Sequence, residues 1–146
     1  MAGRRAPASA TIVGVELAAA LDFVRTHDRT VLATRRRDGS PQMSAVNAGV
    51  VGDRICISSR SMLAKVRNIR RDPAVSLLML REEFYGGWVQ VDGTAEIVEQ
   101  PAALELLVQV YRAIRGEHPD WDDYRAAMIR DERVVIAVTP TRAVQG

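Results

Sequence analysis

A single lysine, Lys65, stands among nineteen arginines in this chain. It sits in the segment Ile55-Cys56-Ile57-Ser58-Ser59-Arg60-Ser61-Met62-Leu63-Ala64-Lys65-Val66-Arg67-Asn68-Ile69-Arg70-Arg71-Asp72-Pro73. The pattern predicts a strand, a hydroxyl-rich loop and a short basic helix with Lys65 in its first turn. Lysine brings a compact, rotatable point charge where arginine brings a planar fork. Free N–H groups at a helix start, loop hydroxyls and an ammonium are the ingredients of a phosphate cradle. The same residues also describe a surface helix with a solvated basic face, and the segment alone leaves both readings open.

Other chemistry is thin. Two histidines, His27 and His118, have no neighbouring Cys or His to complete a zinc set. No serine lies in a Gly-x-Ser-x-Gly turn, so a hydrolase elbow is unsupported. Asp120, Asp122 and Asp123 fall at a helix start, where the helix dipole accounts for them without a metal. Cys56 lies between two isoleucines and reads as a buried apolar residue rather than a nucleophile. An enzyme with this inventory has to borrow its chemistry, and a redox cofactor supplies it. The Gly-x-Gly-x-x-Gly dinucleotide fingerprint is missing, which excludes the usual NAD reading.

Bulk properties fit one soluble globular domain of 146 residues, 47% hydrophobic and 26% charged. Aromatic residues make up 5% and net charge is +2, with basic residues clustered at 35–37 and 60–71. That local balance suits a small anionic ligand better than a nucleic acid. The lone cysteine permits no internal disulfide, so a reducing, cytoplasmic setting is expected. No run approaches the roughly 18 apolar residues of a membrane span. Residues 1–14 are expected to form a disordered tail ahead of a domain at 15–146.

Local signals predict the elements that must carry the site. Val15, Leu17, Ala18, Leu21 and Val24 have helical spacing over 15–28. Asp38-Gly39 marks a hairpin between strands at 30–35 and 41–51, and Gly52-Asp53 a second hairpin into 54–58. These three strands are expected to form an antiparallel meander. Pro73 stops the basic helix. Ala74–Leu80, almost continuously apolar, is expected to be buried on both faces. Strand Trp88–Val98 carries Gly93 as a candidate bulge. Helices over 101–114 and 119–130 precede a closing strand at 133–139. The expected fold is α+β, mostly β: a six-stranded antiparallel sheet or barrel with helices over its openings.

Five blocks then combine in order: Val31-Leu32-Ala33-Thr34; Asp38-Gly39-Ser40-Pro41-Gln42; Lys65 through Pro73; Gly93-Thr94-Ala95; and Gly116-Glu117-His118-Pro119-Asp120-Trp121-Asp122-Asp123-Tyr124-Arg125. Together they resemble the split β-barrel, FMN-binding-like family related to pyridoxamine 5′-phosphate oxidase. They look closer still to its actinobacterial branch that uses the deazaflavin coenzyme F-420. The resemblance spans about residues 15–146.

It implies a homodimer with two cofactor sites at the interface, each lined by both subunits. On matching positions, Ser58, Ser59, Arg60 and Lys65 would hold the cofactor phosphate, with Asn68 on the same helix face. Gln42, Ser44 and Val46, alternating on one side of a strand, would pass beside the ring. Trp88 would reach across from the partner subunit, or else serve as a core or dimer-core aromatic. Many relatives carry an arginine just before the lysine, where this chain has Leu63-Ala64; Arg60 is the candidate replacement. Arg35, Arg36 and Arg37 would meet the acidic tail of F-420, or form a solvated turn.

Three functions are compatible with these expectations. The first is an F-420-dependent oxidoreductase that delivers hydride to an unsaturated or quinone-like small molecule. The second keeps the fold with FMN, as an oxidase or flavin reductase. The third is a non-catalytic cofactor carrier or ligand-binding protein.

Overall fold

A computed structural model describes residues 12–146. Eight strands and four helices follow in the order β1 (Val13–Val15), α1 (Leu17–Thr26), β2 (Arg29–Arg35), β3 (Pro41–Asn47), β4 (Gly49–Val51), β5 (Arg54–Arg60), α2 (Ala64–Arg71), β6 (Ala74–Leu80), β7 (Trp88–Val98), α3 (Ala103–Arg115), α4 (Trp121–Arg130) and β8 (Arg133–Gln145). The strands form one antiparallel sheet in the order β3-β2-β6-β7-β8-β5-β4, with β1 added along β8. The sheet curls into a half-barrel, the α+β architecture expected. The count exceeds six because of the three-residue strands β1 and β4. Val13–Val15 pairs with Ala143–Gln145; residues 1–11 of the expected tail lie outside the described residues.

Turn chemistry explains the hairpins. Gly39 has φ +85° and Gly52 φ +63°, left-handed values that glycine adopts without a Cβ penalty. The three-strand meander, however, is not formed. The chain breaks at Ala48, which is fully buried and whose N–H donates to Asp28 O at 2.9 Å. That anchor turns the chain away from β3, so β4 and β5 join the opposite edge, beside β8.

Two packed layers result. Inside the curl, Leu32, Ile55, Ile57, Leu77, Met79, Val91 and Ile136 are almost wholly buried. On the other face of β5 and β8, Cys56, Val135 and Ala137 pack under Ala103, Leu107 and Val110 of α3. Strand β6 differs from expectation: Val75, Leu77 and Met79 are buried, while Ala74, Ser76, Leu78 and Leu80 are only half-buried. The doubly buried run is Val134–Val138 of β8, because α3 covers its outer face. Gly93 does mark a bulge against β8. A Cβ there would stand 2.5 Å from Thr139 O, so glycine is required by close backbone approach.

Candidate functional site

Strand β5 delivers alternate residues to the two layers. Ile55, Ile57 and Ser59 point into the curl, and Cys56, Ser58 and Arg60 point towards the α3 side. Its last residue, Arg60, lies directly opposite Arg133, the first residue of β8. Like charges in such register repel. Lys65 adds a third cation: burial first, and the Arg133 charge second, hold its ammonium below the usual lysine range. Arg133 Nε is buried and has no hydrogen-bond partner among the described residues, an exception among buried donors. Among the described residues, none of these three cations comes within 4.0 Å of a carboxylate. Other arginines do meet carboxylates, as in Arg70–Glu99, Arg112–Glu117 and Arg125–Glu105. Helix α2 also starts without a side-chain cap, leaving first-turn donors for another acceptor. The arrangement is suited to an anion.

Clefts open on both sides of this cluster. One, of about 530 Å³, is bounded by Arg29, Val31, Ala45, Asn47, Ser58, Lys65 and Leu80, so a cationic end meets an apolar floor. A second, of about 340 Å³, shares Asn47 and Ser58 and continues to Tyr111, Arg115, Tyr124 and Arg133. A third, of about 560 Å³, lies between the β2–β3 turn and α2, lined by Arg36, Arg37, Asp38, Arg67, Asn68 and Arg71. A fourth, larger than these three at about 670 Å³, lies on the outer sheet face around Ser76, Gln90, Asp92 and Arg142. Size does not make it the site, because its charges are already spent. Ser76 and Gln90 donate to Asp92 at 2.7 and 3.1 Å, and Arg142 pairs with it at 3.2 Å. Burial pushes the Asp92 carboxyl up, but these partners bring it net below the ordinary range.

The residues expected at the site divide accordingly. Ser58 and Lys65 share the 530 Å³ cleft with Val46, and Arg60 sits on the Ser58 side of the strand. Ser59 is 1% exposed, and its hydroxyl donates to Arg60 O at 3.2 Å. Val46 packs on the main core. Gln42 and Ser44 turn with it, half-buried, while Met43, Ala45 and Asn47 face outward. Gln42 is held by Thr34 at 3.2 Å and Ser44 at 3.1 Å. Asn68 is also engaged internally: it donates to Thr34 Oγ1 at 3.1 Å and accepts from Arg71 at 3.1 Å. Trp88 is half-buried under the chain end, trading backbone hydrogen bonds of 3.2 Å with Gly146. It forms no wall of the Lys65 cleft.

Sequence reasoning missed Arg133, Asn47 and the tyrosines of α3 and α4. Arg133 reads only as a strand start; its position opposite Arg60 depends on pairing between strands far apart in sequence.

Comparison with known proteins agrees with this fold. Residues 17–145 match the family described as pyridoxamine 5′-phosphate oxidase. The fold is similar to a conserved hypothetical protein of Mycobacterium tuberculosis, at 29% identity and TM-score 0.72, covering 94% of this chain and 88% of that one. It is similar to an F420 reductase at 25% identity and TM-score 0.65, over 84% and 93% of the two chains. A putative pyridoxamine 5′-phosphate oxidase of Listeria innocua shares the fold at 19% identity and TM-score 0.64, over 87% and 94%.

Proposed function

The chain belongs to the pyridoxamine 5′-phosphate oxidase family, whose split barrel binds flavin-type cofactors in oxidoreductases, and on that footing we propose that it is a coenzyme F-420-dependent reductase. The observation that carries the proposal is the set Arg60, Arg133 and Lys65, three cations gathered without a carboxylate partner among the described residues. A phosphate monoanion or dianion relieves their repulsion and accepts from the Ser58 hydroxyl and the start of α2. Lys65, Ser58 and Arg60 are therefore assigned to the phosphate. Ser59 and Asn68 are assigned to holding the strand end and helix in place.

Reduced F-420 supplies a hydride when bound. The chain's own part is to bind, orient and exclude water. Val31, Ala45 and Leu80 give the ring an apolar wall. Arg36, Arg37, Arg67 and Arg71 offer a second basic cleft to the carboxylates of the F-420 tail. FMN ends at its phosphate and has no use for that cleft, which favours the deazaflavin. The likeness to an F420 reductase points the same way. A homodimer is part of the proposal, since the exposed Met43, Phe84 and Tyr85 and the half-buried outer face of β6 are available for a second copy.

The test is turnover of reduced F-420 with a panel of quinone-like and α,β-unsaturated acceptors. Acceptor-dependent return of the oxidised deazaflavin absorbance is the expected result. Oxygen consumption by the FMN-loaded protein, with no F-420 turnover, would move the protein to an oxidase role.

A further inference from the structure

We propose that the compartment between Arg133 and helices α3 and α4 holds the acceptor, and that Arg115 and Arg133 select one carrying a carboxylate beside an apolar ring-bearing body. The proposal rests on the F-420 reading only for the word acceptor; the ligand chemistry follows from the compartment itself. Its volume of about 340 Å³ lies in the range of small-molecule sites. It adjoins the Lys65 cleft through their shared walls at Asn47 and Ser58, so a molecule lodged there borders the proposed ring site.

The lining combines two features. Val110, Ile114 and Met128 with the rings of Tyr111 and Tyr124 make most of the wall, and no acidic residue contributes to it. The aromatic part is held rigid: Tyr111 and Tyr124 pack edge to face at 5.1 Å, and Trp121 braces both at 5.6 and 5.5 Å. Tyr124 Oη is spent on Leu107 O at 3.0 Å, and burial raises its pKa first among the causes. It presents a ring face rather than a proton.

Against that wall stand two arginines without carboxylate partners among the described residues. Arg133 is fixed through its backbone. Glu132 before it has φ +51°, an uncommon value for a residue with a side chain. Glu132 O accepts from Ser61 N–H at 3.1 Å, and Arg133 O accepts from Gln100 Nε2 at 3.2 Å. These ties fix the backbone from which the side chain extends, and Arg133 Nε is buried and unpaired among the described residues. Arg115 closes α3, where the helix C-terminus favours a cation. A planar carboxylate matches the guanidinium fork, and the ring body matches the tyrosine wall.

The experiment uses the full chain without cofactor, so that it stands or falls apart from the F-420 reading. Trp121, next to Tyr111 and Tyr124, reports binding of 2-naphthoate and of its uncharged methyl ester. Wild-type protein is expected to prefer the acid by about tenfold or more, the worth of one charge-assisted contact. Arg115→Gln and Arg133→Gln each reduce that preference, and the double variant removes it. Arg115 is exposed, so its variant tests the idea even if the Arg133 variant fails to fold. Lys65→Ala retains the preference. Equal binding of acid and ester by wild type, an unchanged preference in Arg115→Gln, or loss of it in Lys65→Ala would each overturn the proposal. The last result would put the anion on the phosphate site instead.

Discussion

Replacing Lys65 by alanine should weaken cofactor binding and at the same time leave the apo protein as stable or more so. Lys65 is half-buried, is repelled by Arg133, and lies in the first turn of α2. One charge-assisted hydrogen bond to a phosphate contributes about 1.5–3 kcal/mol. Partial exposure favours the lower end, so affinity for F-420 should fall by roughly tenfold, at about 1.4 kcal/mol per decade. The apo protein loses only unfavourable terms. A cation near a helix N-terminus costs about 0.3–1 kcal/mol, and alanine is the better helix former by a few tenths. Together with relief from Arg133, Tm should rise by about 2–4 °C per kcal/mol gained. Because the folded-state pKa of Lys65 is depressed, the folded chain binds fewer protons than the unfolded chain just below 10.5. Apo stability therefore climbs with pH through the window below that value, and the variant lacks the climb. Calorimetric titration with F-420 and a thermal melt of the apo protein measure both effects. Affinity within twofold of wild type, or a Tm lowered by several degrees, would refute the reasoning.

Asn68→Ala should do the reverse. It removes one hydrogen bond from buried Thr34 and one from Arg71, which keep partners in Gln42 and Arg35 O; at about 0.5–1.5 kcal/mol each, the melt drops by a few degrees while F-420 affinity falls by less than in Lys65→Ala. Gly93→Ala forces a Cβ to 2.5 Å from Thr139 O and 2.7 Å from Val138 Cγ1; a loss of about 1–3 kcal/mol or more is expected, read from the urea midpoint. Burial pushes the Cys56 thiol up to about 11, so iodoacetamide at pH 8 should leave the native protein unlabelled and modify it fully once denatured. With the folded pKa raised from 9.0, the thiol's contribution to stability is complete below that value and is lost as pH rises towards 11.

Local chemistry was legible in the sequence because it depends on neighbours. Asp38-Gly39 closes a turn in which Arg36 N–H donates to Ser40 O at 2.8 Å, Pro73 follows the end of α2, and Gly93 bulges as a glycine inside a strand suggested. Strand Trp88–Val98 has the expected bounds. Long-range pairing was not legible. Nothing in residues 41–58 states that Ala48 will send the chain to the far edge of the sheet, or that α3 will cover β8 rather than β6. The candidate site, which the structure proposes but does not test, divides the same way. Lys65 and Ser58 could be picked out by type and position. Alternation groups Gln42, Ser44 and Val46, yet it does not say which face meets the cleft; of the three, Val46 borders it and Gln42 and Ser44 do not. Arg133 acquires meaning only through its register with Arg60.

The claim at the centre of this account is that the cleft beside Lys65 is built for a deazaflavin with an acidic tail. A fluorescence titration of the purified protein with oxidised F-420, run in parallel with FMN, tests it most directly. The account predicts micromolar or tighter binding of F-420 and binding of FMN weaker by about tenfold, the worth of the tail on Arg36, Arg37, Arg67 and Arg71. FMN binding as tight as F-420, or neither cofactor bound, would contradict it.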